Sequence, residues 1–349
     1  MQTRVRVGIV GANGYSGLEL ARLLLIHPGA NLTYVAASKD AAGALEDEQP
    51  FLRGTNGLQV TAYDPAACAN ACDFVFVALP SGSSGAIALQ LRERGLRVID
   101  LSGDLRLPAD EYERWYGHAA LPQAGLDEAV YGLTEWHRSE VAAASLIANP
   151  GCYATAAELA LLPLTADHGD VLLPSAPVII DAKSGVSGAG RKATQSGLLG
   201  ELAENFYAYK VGRHQHTPEI ERQLSEAGAF RVLLTTQLLP TVRGIYISAY
   251  VQTRGRVSAE ELSSLYQSYY EGEAFIRVLP AGRVPELKHV RGSNYCDIGF
   301  AVDERTGLVQ VFSVIDNLQK GAAGQAVQNF NVMNGFAETD GLLAQPLYP

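Results

Sequence analysis

The first 150 residues alternate between short apolar runs and longer amphipathic stretches. Continuous apolar runs typical of buried strands lie at residues 5–10, 32–37, 73–79 and 96–101. Glycines or small polar residues follow these runs, and a helical pattern comes next, first over residues 18–26. Strands that alternate with helices in this way predict an N-terminal Rossmann domain, with a doubly wound parallel sheet.

The pattern of apolar and polar positions changes after residue 152. Strand-like runs lie at residues 178–182, 231–235, 245–251 and 308–314. They predict a second α/β domain with a mixed sheet, one face of which is available to a second subunit. From residue 316 a stretch of small residues predicts a closely packed helix.

Composition narrows the classes of function. The 349 residues are 47% hydrophobic and 18% charged, with a formal net charge of −10 and no Lys/Arg tract, which argues against a nucleic-acid partner. No apolar run approaches the length of a membrane span, and the chain enters its first strand without a signal-peptide pattern, so we expect a cytoplasmic protein. The four cysteines do not form a disulfide scaffold or a regular metal site, so no metal is predicted.

The turn after the first strand has the sequence Gly-Ala-Asn-Gly-Tyr-Ser-Gly. Glycines between a strand and a helix allow close approach to a dinucleotide pyrophosphate, whose charge the helix N-terminus receives. The spacing is GxxGxxG rather than GxGxxG, so the alternative is a strand–helix turn without a ligand. The candidate cofactor contacts in this turn are Gly11, Asn13, Gly14, Tyr15, Ser16 and Gly17.

Two further places complete the predicted cofactor site. An NAD-specific site carries an acidic residue at the end of the second strand, but Ser38 and Lys39 stand here. A hydroxyl and a cation suit a 2′-phosphate, so we predict NADP(H), although Lys39 is equally compatible with a solvated surface position. The loop that begins at Pro80 follows a parallel strand, at the sheet edge where α/β proteins bind ligands.

Cationic side chains near serines and glycines are candidates for binding a substrate anion. Arg106 follows the fourth strand, and its guanidinium suits a carboxylate or phosphate, with a surface salt bridge as the alternative. Residues 183–192 combine three glycines, two serines and three cations, including Ser187 and Arg191. That composition is typical of an anion-binding loop, although a solvated flexible loop has a similar one.

The most informative residue is Cys152. Pro150 and Gly151 break the preceding structure, and an Ala- and Leu-rich helix follows to residue 162. A cysteine at a helix N-terminus is favoured as a thiolate, the form that attacks acyl carbons. The alternative is a buried, inert cysteine.

His214 and His216 stand in a predicted loop before a helix that begins with Thr217 as N-cap and Pro218 as its first residue. The nearby helix N-terminus disfavours imidazolium, which keeps a ring neutral enough to act as a base. A metal-binding pair is the alternative, but no third ligand stands at a regular spacing.

Taken together, these motifs resemble the N-acetyl-γ-glutamyl-phosphate reductase family of the aspartate-semialdehyde dehydrogenase superfamily. The resemblance extends over nearly the whole chain and rests on residues 11–17, 149–155, 184–191, 214–220 and 316–321. It implies an NADP-binding domain over residues 1–151 that segment 316–349 completes, and a catalytic and oligomerisation domain over residues 152–315. It also implies a homodimer or homotetramer, and a position for Asn317 at the nicotinamide end of the cofactor.

The resemblance implies NADPH-dependent reduction of N-acetyl-γ-glutamyl phosphate to N-acetylglutamate 5-semialdehyde in arginine biosynthesis. Cys152 would form a thioester, and the histidine pair would handle the proton, with His216 favoured over His214. The turn from Asn149 to Cys152 would supply N–H donors to the oxyanion. The alternatives are a reductase of carrier-linked aminoadipyl phosphate in lysine biosynthesis, a reductase of aspartyl phosphate, and a non-catalytic dinucleotide sensor.

Overall fold

The structure is a computed structural model that describes residues 4–37, 43–52, 57–165, 170–225 and 230–348. The chain forms two units, one of Met1–Pro150 with Ala322–Leu343 and one of Gly151–Gly321 with Ala344–Pro349. The sequence analysis assigned the whole of residues 316–349 to the first domain. The structure instead places residues 316–321, including Asn317, in the second unit.

The N-terminal part of the first unit alternates strands and helices. Its strands are β1 (Val5–Val10), β2 (Ala30–Ala37), β3 (Gly43–Ala44), β4 (Gln59–Ala62), β5 (Phe74–Val77), β6 (Arg97–Asp100), β7 (Val130–Tyr131) and β8 (Leu146–Ala148). Its helices are α1 (Tyr15–Leu25), α2 (Leu45–Glu48), α3 (Pro65–Ala71), α4 (Ser84–Glu93), α5 (Ala109–Tyr116), α6 (Gln123–Glu128) and α7 (Thr134–Ala143).

These strands form one sheet in the order β3-β4-β2-β1-β5-β6-β8-β7. Neighbouring strands run parallel except for the short pair β3 and β4. The predicted parallel, doubly wound sheet is therefore confirmed. The chain passes from β1 to one side and later returns on the other side as β5, so the order of the strands reverses between β1 and β5. Such a reversal is where open α/β sheets bind ligands.

The second unit contains the remaining strands and three longer helices. Its elements are α8 (Cys152–Leu161), β9 (Val178–Gly185), α9 (Leu199–Leu202), β10 (Tyr207–Tyr209), α10 (His216–Ser225), β11 (Val232–Leu239), β12 (Ile245–Val251), α11 (Ala259–Tyr269), β13 (Ile276–Val278), β14 (Cys296–Asp303) and β15 (Leu308–Ile315).

The sheet of this unit has the order β10-β11-β9-β12-β15-β14-β13. Strand β9 is parallel to β11 but antiparallel to β12, which confirms the predicted mixed sheet. Buried and exposed side chains alternate along β9 and β11, as in a sheet that packs on one face only. Helix α8 packs on β12 and β15, and α10 packs on β11.

A C-terminal helix, α12 (Gly324–Met333), belongs to the first unit. Five residues of π-helix, Gln319–Ala323, precede it where the sequence predicted a simple helix. The Phe330 ring packs on Phe74 and Phe76, with ring centroids 4.8 and 5.8 Å away. Asn331 Oδ1 accepts a 2.7 Å hydrogen bond from His27 Nε2. These contacts make α12 part of the core of the first unit.

Among the described residues, none of the helices combines the length and the apolar character that crossing a membrane requires.

Candidate active site

The glycine turn after β1 is tightly enclosed within the first unit. Gly11 has φ of +102°, a conformation that side chains disfavour, and a Cβ there would lie 2.5 Å from the Ala78 carbonyl oxygen. A Cβ on Gly17 would lie 2.3 Å from the Gly11 oxygen, so α1 also packs directly on the turn. The turn, the first turn of α1 and the chain after β5 are therefore in direct contact at the point where the strand order reverses.

Helix α1 begins at Tyr15, three residues before the predicted start, and Gly14 is its N-cap. The Gly14 cap has no side chain to bind the first N–H groups of the helix. A glycine turn at the switch point of a parallel sheet, followed by a helix N-terminus without a side-chain cap, fits a dinucleotide pyrophosphate. Asn13 and Ser16 lie half-buried on this turn.

Of the other predicted cofactor contacts, the structure describes Pro80 but not Ser38 or Lys39. Pro80 begins the loop after β5, and its carbonyl oxygen accepts a hydrogen bond of 2.9 Å from the Ser83 hydroxyl. Ser38 and Lys39 lie outside the described residues. Their role toward a 2′-phosphate stays a prediction.

Arg106 lies at the carboxyl ends of β6 and β8. Its guanidinium donates from Nε to the Asn149 carbonyl oxygen (2.8 Å) and from Nη2 to the Leu101 carbonyl oxygen (2.9 Å). These acceptors fix the half-buried side chain in place. The geometry is compatible with the predicted anion contact, which the structure does not test.

A buried carboxylate network supports the loops at this edge. Asp100 is fully buried and accepts hydrogen bonds from the hydroxyls of Ser84 (2.5 Å) and Ser102 (2.6 Å). Asp104 accepts the N–H groups of Gly82 (2.8 Å) and Gly85 (2.9 Å). Burial raises the pKa of Asp100 to about 6, although the serine hydroxyls oppose that shift. The loop after β5 is thereby tied to the loop after β6.

In the second unit, Cys152 is the first residue of α8, as predicted, and is half-buried. Gly151, its N-cap, has φ of −71° and ψ of 147°, which any residue can adopt. The backbone conformation of this residue therefore does not require a glycine. A Cβ on Gly151 would lie 2.4 Å from Nε2 of His216, so the residue is glycine because the imidazole occupies the space.

His216 begins α10 rather than standing in the loop before it, as the sequence analysis had placed it. Glu219, three residues later on the same face, accepts the Gly151 N–H at 2.7 Å and is 1% exposed. That donor and the Asn149 N–H, which donates to the Asp100 carbonyl oxygen, are therefore already used. The predicted oxyanion donors of this turn must come from Cys152 or from residues beyond it.

His214 has a different environment from His216. Its ring lies among the rings of Tyr153, Tyr209 and His216, at centroid distances of 5.3, 5.9 and 4.7 Å. Its Nδ1 accepts the His216 N–H at 3.2 Å, which requires a neutral imidazole. Burial, with the electrostatic effects of His216 and Lys210 acting in the same direction, lowers the pKa of His214 to about 2. His214 therefore stays uncharged at any ordinary pH.

The structure brings Ser187 and Asn317 together in the second unit. The Asn317 amide donates to the Ser187 hydroxyl (3.0 Å) and accepts the Gly244 N–H (2.7 Å), and both side chains are buried. Asn317, a predicted cofactor contact, thus also connects two loops of its own unit. Arg191 is exposed, and its predicted anion contact remains untested.

The sequence analysis missed three charged residues at these sites: Glu219, Arg243 and Asp316. Glu219 was not singled out as a site residue. Arg243 was not considered, and Asp316 was named only as part of the motif at residues 316–321. The distance from Arg243 Nη1 to Asp316 Oδ2 is 3.3 Å. The sequence feature that could have identified Arg243 and Asp316 is a charged residue beside a glycine, in Arg243-Gly244, or beside an amide, in Asp316-Asn317.

One unit contains a parallel sheet that binds a dinucleotide, and the other contains a cysteine and a neighbouring histidine, each at the start of a helix. Together these features define the class of protein as a thiol-dependent dehydrogenase. Two family models match the chain accordingly. The family described as semialdehyde dehydrogenase, NAD binding domain matches residues 6–144. The family described as semialdehyde dehydrogenase, dimerisation domain matches residues 152–317.

Curated relatives named N-acetyl-gamma-glutamyl-phosphate reductase align over the whole length. The protein of Halalkalibacterium halodurans is 48% identical, that of Bacillus subtilis 46% and that of Geobacillus thermodenitrificans 49%, each over 99% of this chain and 100% of the relative. The chain therefore belongs to the N-acetyl-gamma-glutamyl-phosphate reductase family of semialdehyde dehydrogenases.

Solved structures support the fold. Aspartate semialdehyde dehydrogenase II from Vibrio cholerae has a TM-score of 0.73 at 18% identity and covers 95% of this chain and 99% of its own. Aspartate semialdehyde dehydrogenase with NADP from Candida albicans has a TM-score of 0.68 at 17% identity, over 95% of this chain and 99% of its own.

The close packing of His216 on Gly151 leads to a stability prediction. Gly151→Ala forces the imidazole or the turn to move, and we expect the free energy of unfolding to fall by about 1–3 kcal/mol, the usual cost of overpacking. Gly200→Ala is the matched control, because a Cβ there meets no atom within 4 Å. Urea denaturation of both variants measures the difference. Equal stability of the two variants would contradict the packing argument.

Proposed function

We propose that this chain reduces N-acetyl-γ-glutamyl phosphate with NADPH to N-acetylglutamate 5-semialdehyde and phosphate, as a step of arginine biosynthesis. The observation that carries the proposal is the cysteine at the start of α8 with the His216 imidazole packed on the residue before it. The names of the full-length relatives supply the substrate.

The position of Cys152 suits a nucleophile. The residue is half-buried at the N-terminus of a ten-residue helix, where the macrodipole stabilises a thiolate. The other three cysteines are buried in the cores of their units. Cys152 is therefore the thiol that attacks the acyl phosphate.

The proposed reaction has two stages at the acyl carbon: formation of a thioester and its reduction. The Cys152 sulfur attacks the acyl carbon, the bond from that carbon to the phosphate oxygen breaks, and a thioester and free phosphate result. NADPH, when bound, supplies the hydride that reduces the thioester. The alkoxide left by hydride addition takes a proton from a histidine to give a thiohemiacetal. The histidine takes that proton back as the carbon–sulfur bond breaks, which releases the aldehyde and restores the thiolate.

The two histidines have different proposed roles, one in proton transfer and one in positioning. We assign the proton transfers to His216, whose ring contacts the residue next to the nucleophile. His214 is a positioning residue, because its low pKa keeps it neutral and its Nδ1 binds the backbone N–H of His216. The Tyr153 and Tyr209 hydroxyls, 2.9 Å apart, close the other side of the His214 ring.

The cofactor is held by residues of the first unit. The turn of Gly11 to Gly17 and the N-terminus of α1 fit the pyrophosphate, and Ser38 and Lys39 are the proposed contacts of the 2′-phosphate. Pro80 and Asn317 remain proposed contacts toward the nicotinamide end. A nucleophilic thiol needs a reducing compartment, so we place the reaction in the cytoplasm.

The substrate carries anionic groups at both ends, and cations are needed to bind them. Arg106, Ser187 and Arg191 are the proposed contacts. The support for Arg106 is its place: hydrogen bonds to the Asn149 and Leu101 carbonyl oxygens hold its guanidinium at the carboxyl ends of β6 and β8, the sheet edge where α/β proteins bind ligands.

We further propose a homodimer, or a tetramer built from it, formed through the outer face of the mixed sheet. Ile179 of β9 is paired with Leu233 of β11 and Tyr250 of β12, so the three side chains share one face. Ile179 and Leu233 are 42% and 52% exposed. The family model that covers residues 152–317 is described as a dimerisation domain, and an apolar sheet face of this kind is suited to a second copy.

The proposed reaction is best tested in reverse. With N-acetylglutamate semialdehyde, phosphate and NADP, we expect phosphate-dependent formation of NADPH, measured by its absorbance, and a much slower reaction with NAD. Cys152→Ser should abolish this activity because an alcohol is a poor nucleophile here. The same variant should still bind NADPH, measured by quenching or titration calorimetry, which shows that its first unit is intact.

Three outcomes would contradict parts of the proposal. Activity only with the aspartate or aminoadipate semialdehyde would retain the mechanism and replace the substrate. Near-normal turnover of Cys152→Ser would remove the thioester. NADPH binding without activity on any of the three aldehydes would favour a dinucleotide sensor.

The histidine roles predict different pH profiles. His216→Gln should lower kcat by about 10²–10⁴-fold and remove the limb of the kcat profile that a general base produces. His214→Gln retains a side-chain acceptor for the His216 N–H, so kcat should fall by about tenfold or less with an unchanged profile. A profile altered by His214→Gln and not by His216→Gln would reverse the assignment.

The sheet face predicts the oligomeric state. Leu233→Asp places a charge on the proposed interface and should convert the dimer to monomers, measured by sedimentation velocity. Leu199→Asp is the matched control, since Leu199 is an exposed leucine (81%) of α9, outside the sheet. If Leu233→Asp sediments like the control, the interface lies elsewhere.

A further inference from the structure

Asp316 is a fully buried carboxylate that follows β15. Its Oδ1 accepts the N–H groups of Leu318 (2.8 Å) and Gln319 (3.2 Å). Its Oδ2 accepts the Gly292 N–H (2.7 Å) and lies 3.3 Å from Nη1 of Arg243. Four donors from three separate stretches of the second unit therefore converge on one side chain.

These contacts fix the turn at residues 316–321. The backbone carbonyl oxygen of Asp316 accepts the N–H groups of Gln319 (3.2 Å) and Gly321 (3.0 Å), so the same residue also closes the turn from inside. The neighbouring Asn317 anchors the turn to residues 187 and 244. The turn is held at both ends and cannot move independently of the loops around it.

The turn packs directly on the nucleophile. A Cβ on Gly321 would lie 2.9 Å from the Cβ of Cys152 and 3.3 Å from Cδ1 of Ile315. No space for a side chain separates Gly321 from Cys152, so a displacement of the turn is transmitted to the cysteine side chain.

We propose that Asp316 is a positioning residue for Cys152, holding the 316–321 turn against the thiol so that it stays aligned with the N-terminus of α8. The inference rests on the proposed role of Cys152 as the nucleophile. It concerns the reactivity of the thiol, which can be measured without the acyl phosphate.

The test measures the rate of Cys152 alkylation by iodoacetamide against pH, with labelling located by peptide mass spectrometry. Asp316→Asn removes the charge and places an NH₂ group against a backbone N–H. We expect the midpoint of the rate curve to move to higher pH, and a shift of one unit lowers the thiolate fraction at pH 7 about tenfold. The kcat for the acyl phosphate should fall with it.

Two further variants separate positioning from general damage. Asp297→Asn is the matched control: Asp297 is also a buried carboxylate of the second unit (3% exposed) and is paired with Arg277 at 2.5 Å on the neighbouring strand β13. It should lose stability without a change in the alkylation curve. Gly321→Ala keeps the carboxylate but presses a methyl group on Cys152, and should change the curve.

A folded Asp316→Asn variant with the alkylation curve of the control would overturn the inference. If Asp316→Asn does not fold, Gly321→Ala decides, and an unchanged curve for that variant overturns the inference as well. Loss of all acyl-phosphate turnover in the unmodified protein, with the predicted alkylation shifts intact, would reject the proposed function and retain the positioning role.

Discussion

The second unit depends on how closely the His216 ring approaches the main chain beside the nucleophile. The ring occupies the space that a side chain of residue 151 would need, so the residue must be glycine. Glu219 then binds the N–H of that glycine from the same helix. Helix α10 therefore fixes both the imidazole and the start of α8, and the distance from the ring to the thiol is set by packing rather than by a flexible linker. In the proposed mechanism, proton transfer and thiolate stabilisation therefore share one rigid support.

The same chemistry recurs at each place where the chain must be held without regular structure. Asp104 binds two N–H groups of the loop after β5, Glu219 binds one at the start of α8, and Asp316 binds three in the second unit. A carboxylate that accepts backbone N–H groups is satisfied inside the protein and orders a loop at the same time. Gly85 shows why a glycine is needed beside such a carboxylate, because a Cβ there would lie 2.6 Å from the Cβ of Asp104. Both units thus use buried carboxylates that accept backbone N–H groups to hold their loops.

Much of this arrangement could be predicted from the sequence, since it is carried by local patterns. The apolar runs gave the parallel sheet, the glycine turn gave the ligand-binding edge, and Pro-Gly-Cys gave the helix that starts at Cys152. The start of α1 was placed too late because its glycines weaken the helical pattern. The reason for Gly151 and the role of Asp316 were missed, because both depend on residues far away in the chain, His216 in one case and Gly292 in the other. No periodicity encodes such contacts.

The return of α12 to the first unit has a consequence for how the protein forms during synthesis. Phe330 covers Phe74 and Phe76, yet the ribosome adds it only after the whole of residues 151–321. The second unit is nearly continuous in sequence and has most of its parts before the first unit is complete. The domain that begins the chain is thus the last to close, and its uncovered aromatic core is the surface that chaperones would have to protect in the interval.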